Sequence, residues 1–214
     1  MERAKKVIEY YVLCNKLKDI VRTGWKDWHV ERNRVESIAE HIYGTQMLAI
    51  AMHSEYGYNL DLKKILSMLA IHELEETVIG DLTQFQIDAK TKAAMGHKAI
   101  HEILAKLSNG IELENLVLEF DERKTPEAEF AYMCDKLECD LQCRIYDEEH
   151  CVDLNNQEGN NTKNHPLVQK YLAEGDSWSK MWLKFGQDKY PYDANFKKVS
   201  SYAITHTITQ KEEM

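Results

Sequence analysis

At 214 residues the chain is long enough to bury a sizeable core as one compact domain. Its 3 prolines and 9 glycines, set among many Leu, Ile, Ala, Lys and Glu, point to an all-α protein. A net charge of -9 argues against a nucleic-acid polymer or an anionic membrane as the main partner. It leaves room for a small phosphorylated ligand, because a metal and a few placed cations reverse a local potential. The charged start, Met1-Glu2-Arg3-Ala4-Lys5-Lys6, lacks an apolar signal-peptide core. No apolar run approaches the roughly 18 residues that span a bilayer, so a soluble, cytoplasmic protein is expected. Five cysteines without a paired short spacing read as reduced, mostly structural thiols.

In chain order, residues 4–21 read as a first helix with Val7, Ile8, Tyr11, Leu17 and Ile20 among its apolar positions, ending near Gly24. The segment from there to Arg34 reads as a loop. Ser37 with Glu40 three residues on has capping-box spacing and opens a helix that carries His41 and stops near Gly57. In the next helix Ile65, Met68, Leu69 and His72 fall at i, i+3, i+4 and i+7, so His72 is expected to point inward. If the helix continues, Glu76 shares that face, four residues on. Gly80 ends the element and puts Asp81 in a turn.

Residues 88–107 and 112–121 read as two further helices. Thr125-Pro126-Glu127 is a helix start: a capping hydroxyl, proline at the first position and an acid in the first turn. Phe130, Cys134, Leu137 and Leu141 then form a buried stripe with Asp135 beside it. Residues 153–164 read as loop. A last helix is expected over about 165–185, with Leu172, Trp178 and Trp182 on its apolar side, followed by a polar tail beyond Tyr202.

Four ligand candidates thus stand inward or nearly so on three helices: His41, His72 with Glu73, and Asp135. Two imidazoles and two carboxylates suit a borderline or hard divalent ion such as manganese, cobalt, iron, zinc or magnesium. Singly each has a plain alternative: a hydrogen-bonded core histidine, a solvated acidic helix end, an aspartate paired with Lys136. Their order is what carries information.

That order, His…His-acid…Asp on helices, resembles the HD-domain metal-dependent phosphohydrolases. The likeness extends to Arg22-Thr23-Gly24-Trp25, to Glu36-Ser37-Ile38-Ala39-Glu40-His41, and to His72-Glu73 with Glu76 and Gly80-Asp81-Leu82. It continues through Glu127-Ala128-Glu129-Phe130 to Asp135-Lys136-Leu137-Glu138, and together these look like the 5′-deoxynucleotidase branch. It covers about residues 15–150 of what is read as a single HD-type domain over 1–214, with a C-terminal helix and tail from about 165. One position departs from the pattern: Glu73 stands where the family has aspartate, one methylene shorter.

The resemblance implies an HD-domain helical bundle with His41, His72, Glu73 and Asp135 as metal ligands. It implies Glu76 and Asp81 as the polar catalytic pair, Arg22 as the phosphate-binding cation and Trp25 as a substrate contact, the last weighed equally against a core role. The implied reaction is hydrolysis of a (deoxy)nucleoside 5′-monophosphate by metal-activated water, in a protein that forms a homodimer. Two other readings stay open: an HD-type hydrolase of another phosphorylated metabolite, and a non-catalytic nucleotide- or metal-binding regulator, suggested by Glu73.

Overall fold

The computed structural model describes residues 1–83 and 86–209. Its regular elements are helices. Among the described residues the β-type pairing is one isolated antiparallel bridge, Val21 with Ser37. The expected all-α bundle is therefore what folds. No described helix is long and apolar enough to cross a membrane.

The chain divides into two compact units. The first comprises Met1–Thr23 and Glu36–Tyr132. Helix α1 (Glu2–Asn15) leaves Val7, Ile8 and Tyr11 exposed, and the chain tightens into a 3-10 turn at Lys16–Lys18 that buries Leu17. The expected single helix over 4–21 is thus two shorter pieces. A short helix α2 (Thr23–Asp27) then stands where a loop was expected.

Helix α3 (Ile38–Tyr56) starts at the capping box. Ser37 Oγ accepts the Glu40 amide at 3.3 Å while Glu40 Oε2 accepts the Ser37 amide at 2.9 Å. It ends at Gly57, whose φ of +64° suits a residue without Cβ. Asp61 caps α4 (Leu62–Ile71) by accepting the amides of Lys63 and Lys64. α3 and α4 pack together and bury Ile38, Ala49 and Met52 with Ile65, Met68 and Leu69. The short α5 (Glu76–Ile79) leads to α6 (Ala89–Leu104) and α7 (Gly110–Glu122). Leu74, Ile100, Ile103, Leu104 and Val117 form an apolar cluster there.

The second unit comprises Gly24–Val35 and the chain from Met133 onward. It takes in Gly24–Asp27 of α2 and, from Met133, the greater part of helix α8 (Pro126–Glu148). The expected last helix is instead two, α9 (Pro166–Ala173) and α10 (Trp178–Lys189). They are separated at Gly175, whose φ is +83°, with Ser177 accepting the Lys180 amide to restart the helix. A further helix, α11 (Ala194–Thr205), occupies part of the expected tail. Beyond it the Ile208 and Thr209 amides donate to Glu148, and the remainder of that tail, 210–214, lies outside the described residues. Trp25, Trp28, Tyr146, Trp178, Met181 and Phe185 fill the core of this unit. The five cysteines are free thiols.

Candidate metal centre

The turn between α4 and α5 differs from the continuous helix expected at His72. α4 closes at Ile71, and the Leu74, Glu76 and Thr77 amides bond to carbonyls three residues back. This tighter winding means that Glu76 does not sit one α-turn above His72. It is Glu73 that faces the imidazoles, and Glu76 is buried as the first residue of α5 at 1% exposure.

His41, in the first turn of α3, is fully buried, and His72 nearly so. Their ring centroids are 5.6 Å apart, and Phe120 lies 5.1 Å from the His72 ring. His72 Nδ1 is 2.8 Å from the Leu69 carbonyl oxygen, an atom that only accepts, so Nδ1 carries the proton and Nε2 the lone pair. Glu73 Oε1 stands 3.7 Å from His72 Nε2 and 3.9 Å from His41 Nε2. Two ligands on a tetrahedral ion at about 2.1 Å lie about 3.4 Å apart, so these three atoms are close to a ligating arrangement. Imidazole nitrogen and carboxylate oxygen together suit a borderline-to-hard divalent cation. The residues present therefore fit such an ion.

Arg22 Nη1 lies 3.6 Å from the same Glu73 oxygen. The Arg22 segment is held by paired backbone bonds, Arg22 N–H to the Glu36 carbonyl at 3.1 Å and Ile38 N–H to the Ile20 carbonyl at 2.9 Å. These fasten it to the start of α3, the helix that bears His41. Thr23 adds a second tie: its amide donates to Asp81 Oδ2 at 2.5 Å and its hydroxyl to the Asp81 carbonyl at 2.8 Å. Asp81 thus has a structural task in the turn after Gly80, besides the chemical one expected of it.

Glu73, Glu75, Glu76 and Asp81 crowd one region, and the electrostatics register it. Burial, then Glu73 and Asp81, push the Glu76 carboxyl up to about 11, against Lys92 and Arg22. Burial and then Glu73 also hold Glu75 well above the usual carboxylate range. Lys92 was not singled out from the sequence. It comes from the first turn of α6 and places Nζ 3.4 Å from Glu76 Oε1. Burial alone would lower its pKa, but Glu73, Glu76 and Asp81 outweigh that and raise it. A signal was present: a lysine in a helix's first turn opposes the macrodipole unless something else holds it.

Two expected site residues lie in the second unit. Asp135 is buried on α8, with Lys136 Nζ 2.8 Å from its Oδ2. Trp25 is 7% exposed, with its ring edge-on to Tyr146 at 5.3 Å and Trp178 at 6.0 Å, so its packing is that of a core tryptophan.

Comparison with known proteins gives a consistent picture. Residues 14–170 match the HD domain family. The chain is similar to 5′-deoxynucleotidase HDDC2 of Dictyostelium discoideum, 33% identical over 150 residues, covering 66% of this chain and 78% of that protein. It is also similar to 5′-deoxynucleotidase hdd1 of Schizosaccharomyces pombe, 25% identical over 178 residues, covering 78% of this chain and 87% of the other. Among solved structures, a Magnetospirillum magnetotacticum protein described as a predicted metal-dependent phosphohydrolase superposes with a TM-score of 0.59. At 20% identity over 94% of both chains, that likeness shows the fold.

Proposed function

The chain belongs to the HD-domain family, and from that premise we propose that it hydrolyses (deoxy)nucleoside 5′-monophosphates as a metal-dependent phosphomonoesterase. Two observations support the substrate class: the 5′-deoxynucleotidase relatives, and an arginine set against the acid of the His72-Glu73 pair. The observation that carries the chemistry is Glu73 Oε1 facing two buried imidazoles.

In this reading His41, His72, Glu73 and Asp135 hold the cation, which when bound supplies Lewis-acid activation of water and neutralises phosphate charge. Asp135 enters as the fourth ligand by its place in the family's order. Arg22 binds phosphate oxygens through its planar fork, a geometry a lysine cannot offer. Glu76 orients the attacking water from its buried place at the start of α5. Asp81 faces the leaving ribose oxygen from the turn that also anchors Thr23. A cytoplasmic homodimer belongs to the same proposal, and sedimentation of the purified protein tests the dimer.

Phosphate release from a panel of nucleoside mono-, di- and triphosphates tests the substrate class. Monophosphates are expected to be turned over and diphosphate release to be absent. Glu76→Ala should lower kcat roughly 100-fold or more with metal still bound. Full activity in that variant would remove Glu76 from the mechanism.

A further inference from the structure

We propose that Lys92, in the first turn of α6, is a second phosphate-binding cation that contacts the substrate phosphate together with Arg22. The inference rests on the phosphomonoesterase reading and extends it to a residue that reading does not use.

Charge balance comes first. Four acidic side chains, Glu73, Glu75, Glu76 and Asp81, interact in this region with two cations, Arg22 and Lys92. A phosphate monoester brings close to two further negative charges at neutral pH. A subsite for it among these acids calls on each cation that still has donors to offer. Arg22 already faces Glu73 at 3.6 Å. Lys92 carries three ammonium donors, and Glu76 Oε1 engages one of them at 3.4 Å, longer than a strong charge-assisted bond. Its side chain is 31% exposed, whereas that of Glu76 is 1% exposed, so the lysine side chain reaches solvent while the Glu76 carboxyl does not.

The two cations also approach from different elements onto carboxylates three residues apart, Arg22 onto Glu73 and Lys92 onto Glu76. A lysine that served only as a partner to Glu76 would need no exposed side chain. A lysine that takes a phosphate oxygen needs one, and in doing so it loosens from Glu76 as the substrate arrives.

Two measurements test this. In the wild-type protein, reaction of lysine amines with an acetylating reagent is mapped by peptide mass spectrometry, with and without inorganic phosphate at fixed divalent metal. Phosphate is expected to protect Lys92, and an unchanged rate of acetylation at Lys92 would overturn the proposal. In Lys92→Met, the KM for a deoxynucleoside monophosphate and the inhibition constant of inorganic phosphate should rise together, roughly ten- to hundred-fold. The change in kcat should be smaller, and Lys92→Arg should recover most of the loss. A lower kcat with both constants unmoved would make Lys92 a positioning residue for Glu76 and overturn the phosphate contact. Phosphate protection of Lys92 without turnover of any monophosphate would sink the functional reading and leave this contact standing. Turnover without protection would do the reverse.

Discussion

Asp140 gives the sharpest stability prediction. It is 4% exposed on α8 and accepts the Tyr192 hydroxyl at 3.1 Å. It is seated against Gly186 of α10, where an added Cβ would collide with its Oδ2. Burial holds its carboxyl well above the ordinary value of 3.8, with the Tyr192 bond and Lys136 pulling the other way. A carboxyl whose folded pKa lies above its unfolded one keeps its proton in the folded chain after the unfolded chain has lost it. Its stabilising contribution is therefore complete below about pH 3.8 and is lost as pH rises toward the folded pKa. Each pH unit inside that window costs up to about 1.4 kcal/mol, or at most about 2.7 kcal/mol between pH 5 and 7.

Asp140→Asn removes the ionisation and keeps a carbonyl that accepts from Tyr192. The variant should match the wild type near pH 3.8 and exceed it progressively toward pH 7. Urea unfolding followed by tryptophan fluorescence is the assay. All four tryptophans, Trp25, Trp28, Trp178 and Trp182, belong to the core of the second unit, so the signal reports on that unit. Equal pH slopes for the two proteins, or a variant weaker at pH 7, would refute the reasoning.

Other predictions concern the metal centre. Glu73→Asp keeps a carboxylate at the position where the family has one and should retain the divalent ion. Glu73→Gln should weaken binding by more than the roughly 10- to 100-fold typical of residues that merely orient a ligand. Competition with a chelator measures both, and unchanged affinity in Glu73→Gln would remove Glu73 from the ligand set. Thr23→Val deletes the 2.8 Å bond to the Asp81 carbonyl. At about 0.5–1.5 kcal/mol for such a bond, kcat/KM should fall roughly two- to ten-fold through a looser Arg22 segment. An unaltered kcat/KM would show that this tie does not position the phosphate cation.

Local chemistry explains which elements could be read from the residues. The Ser37/Glu40 capping box, the Gly57 stop and the Thr125-Pro126 start each satisfy orphan helix-end groups through their own side chains or backbone. Those boundaries fall where expected. Inward periodicity likewise placed Ile65, Met68, Leu69 and His72 in the core. What failed was decided by tertiary packing. The three-back hydrogen bonds after Ile71 break the continuous helix expected through Glu76, while Glu73, the acid expected beside His72, is the one whose carboxylate faces the imidazoles. The apolar residues Val7, Ile8 and Tyr11 of α1 stay exposed despite helical spacing. Lys92 is far in sequence from Glu76, and their meeting depends on how α5 and α6 pack, which a pattern along one helix does not encode. Trp25 stands next to the Thr23-Gly24 pair of the family-like motif, yet it packs in an aromatic core.

The central claim is that His41, His72, Glu73 and Asp135 hold a divalent ion on which phosphate release depends. Its most direct test is the metal content of the purified protein, measured beside deoxynucleoside 5′-monophosphate hydrolysis in the wild type, His72→Ala and Asp135→Ala. A near-stoichiometric divalent ion in the wild type, with metal and activity lost together in both variants, is the expected result. Full hydrolysis by metal-stripped protein, or metal retained in both variants, would contradict the account.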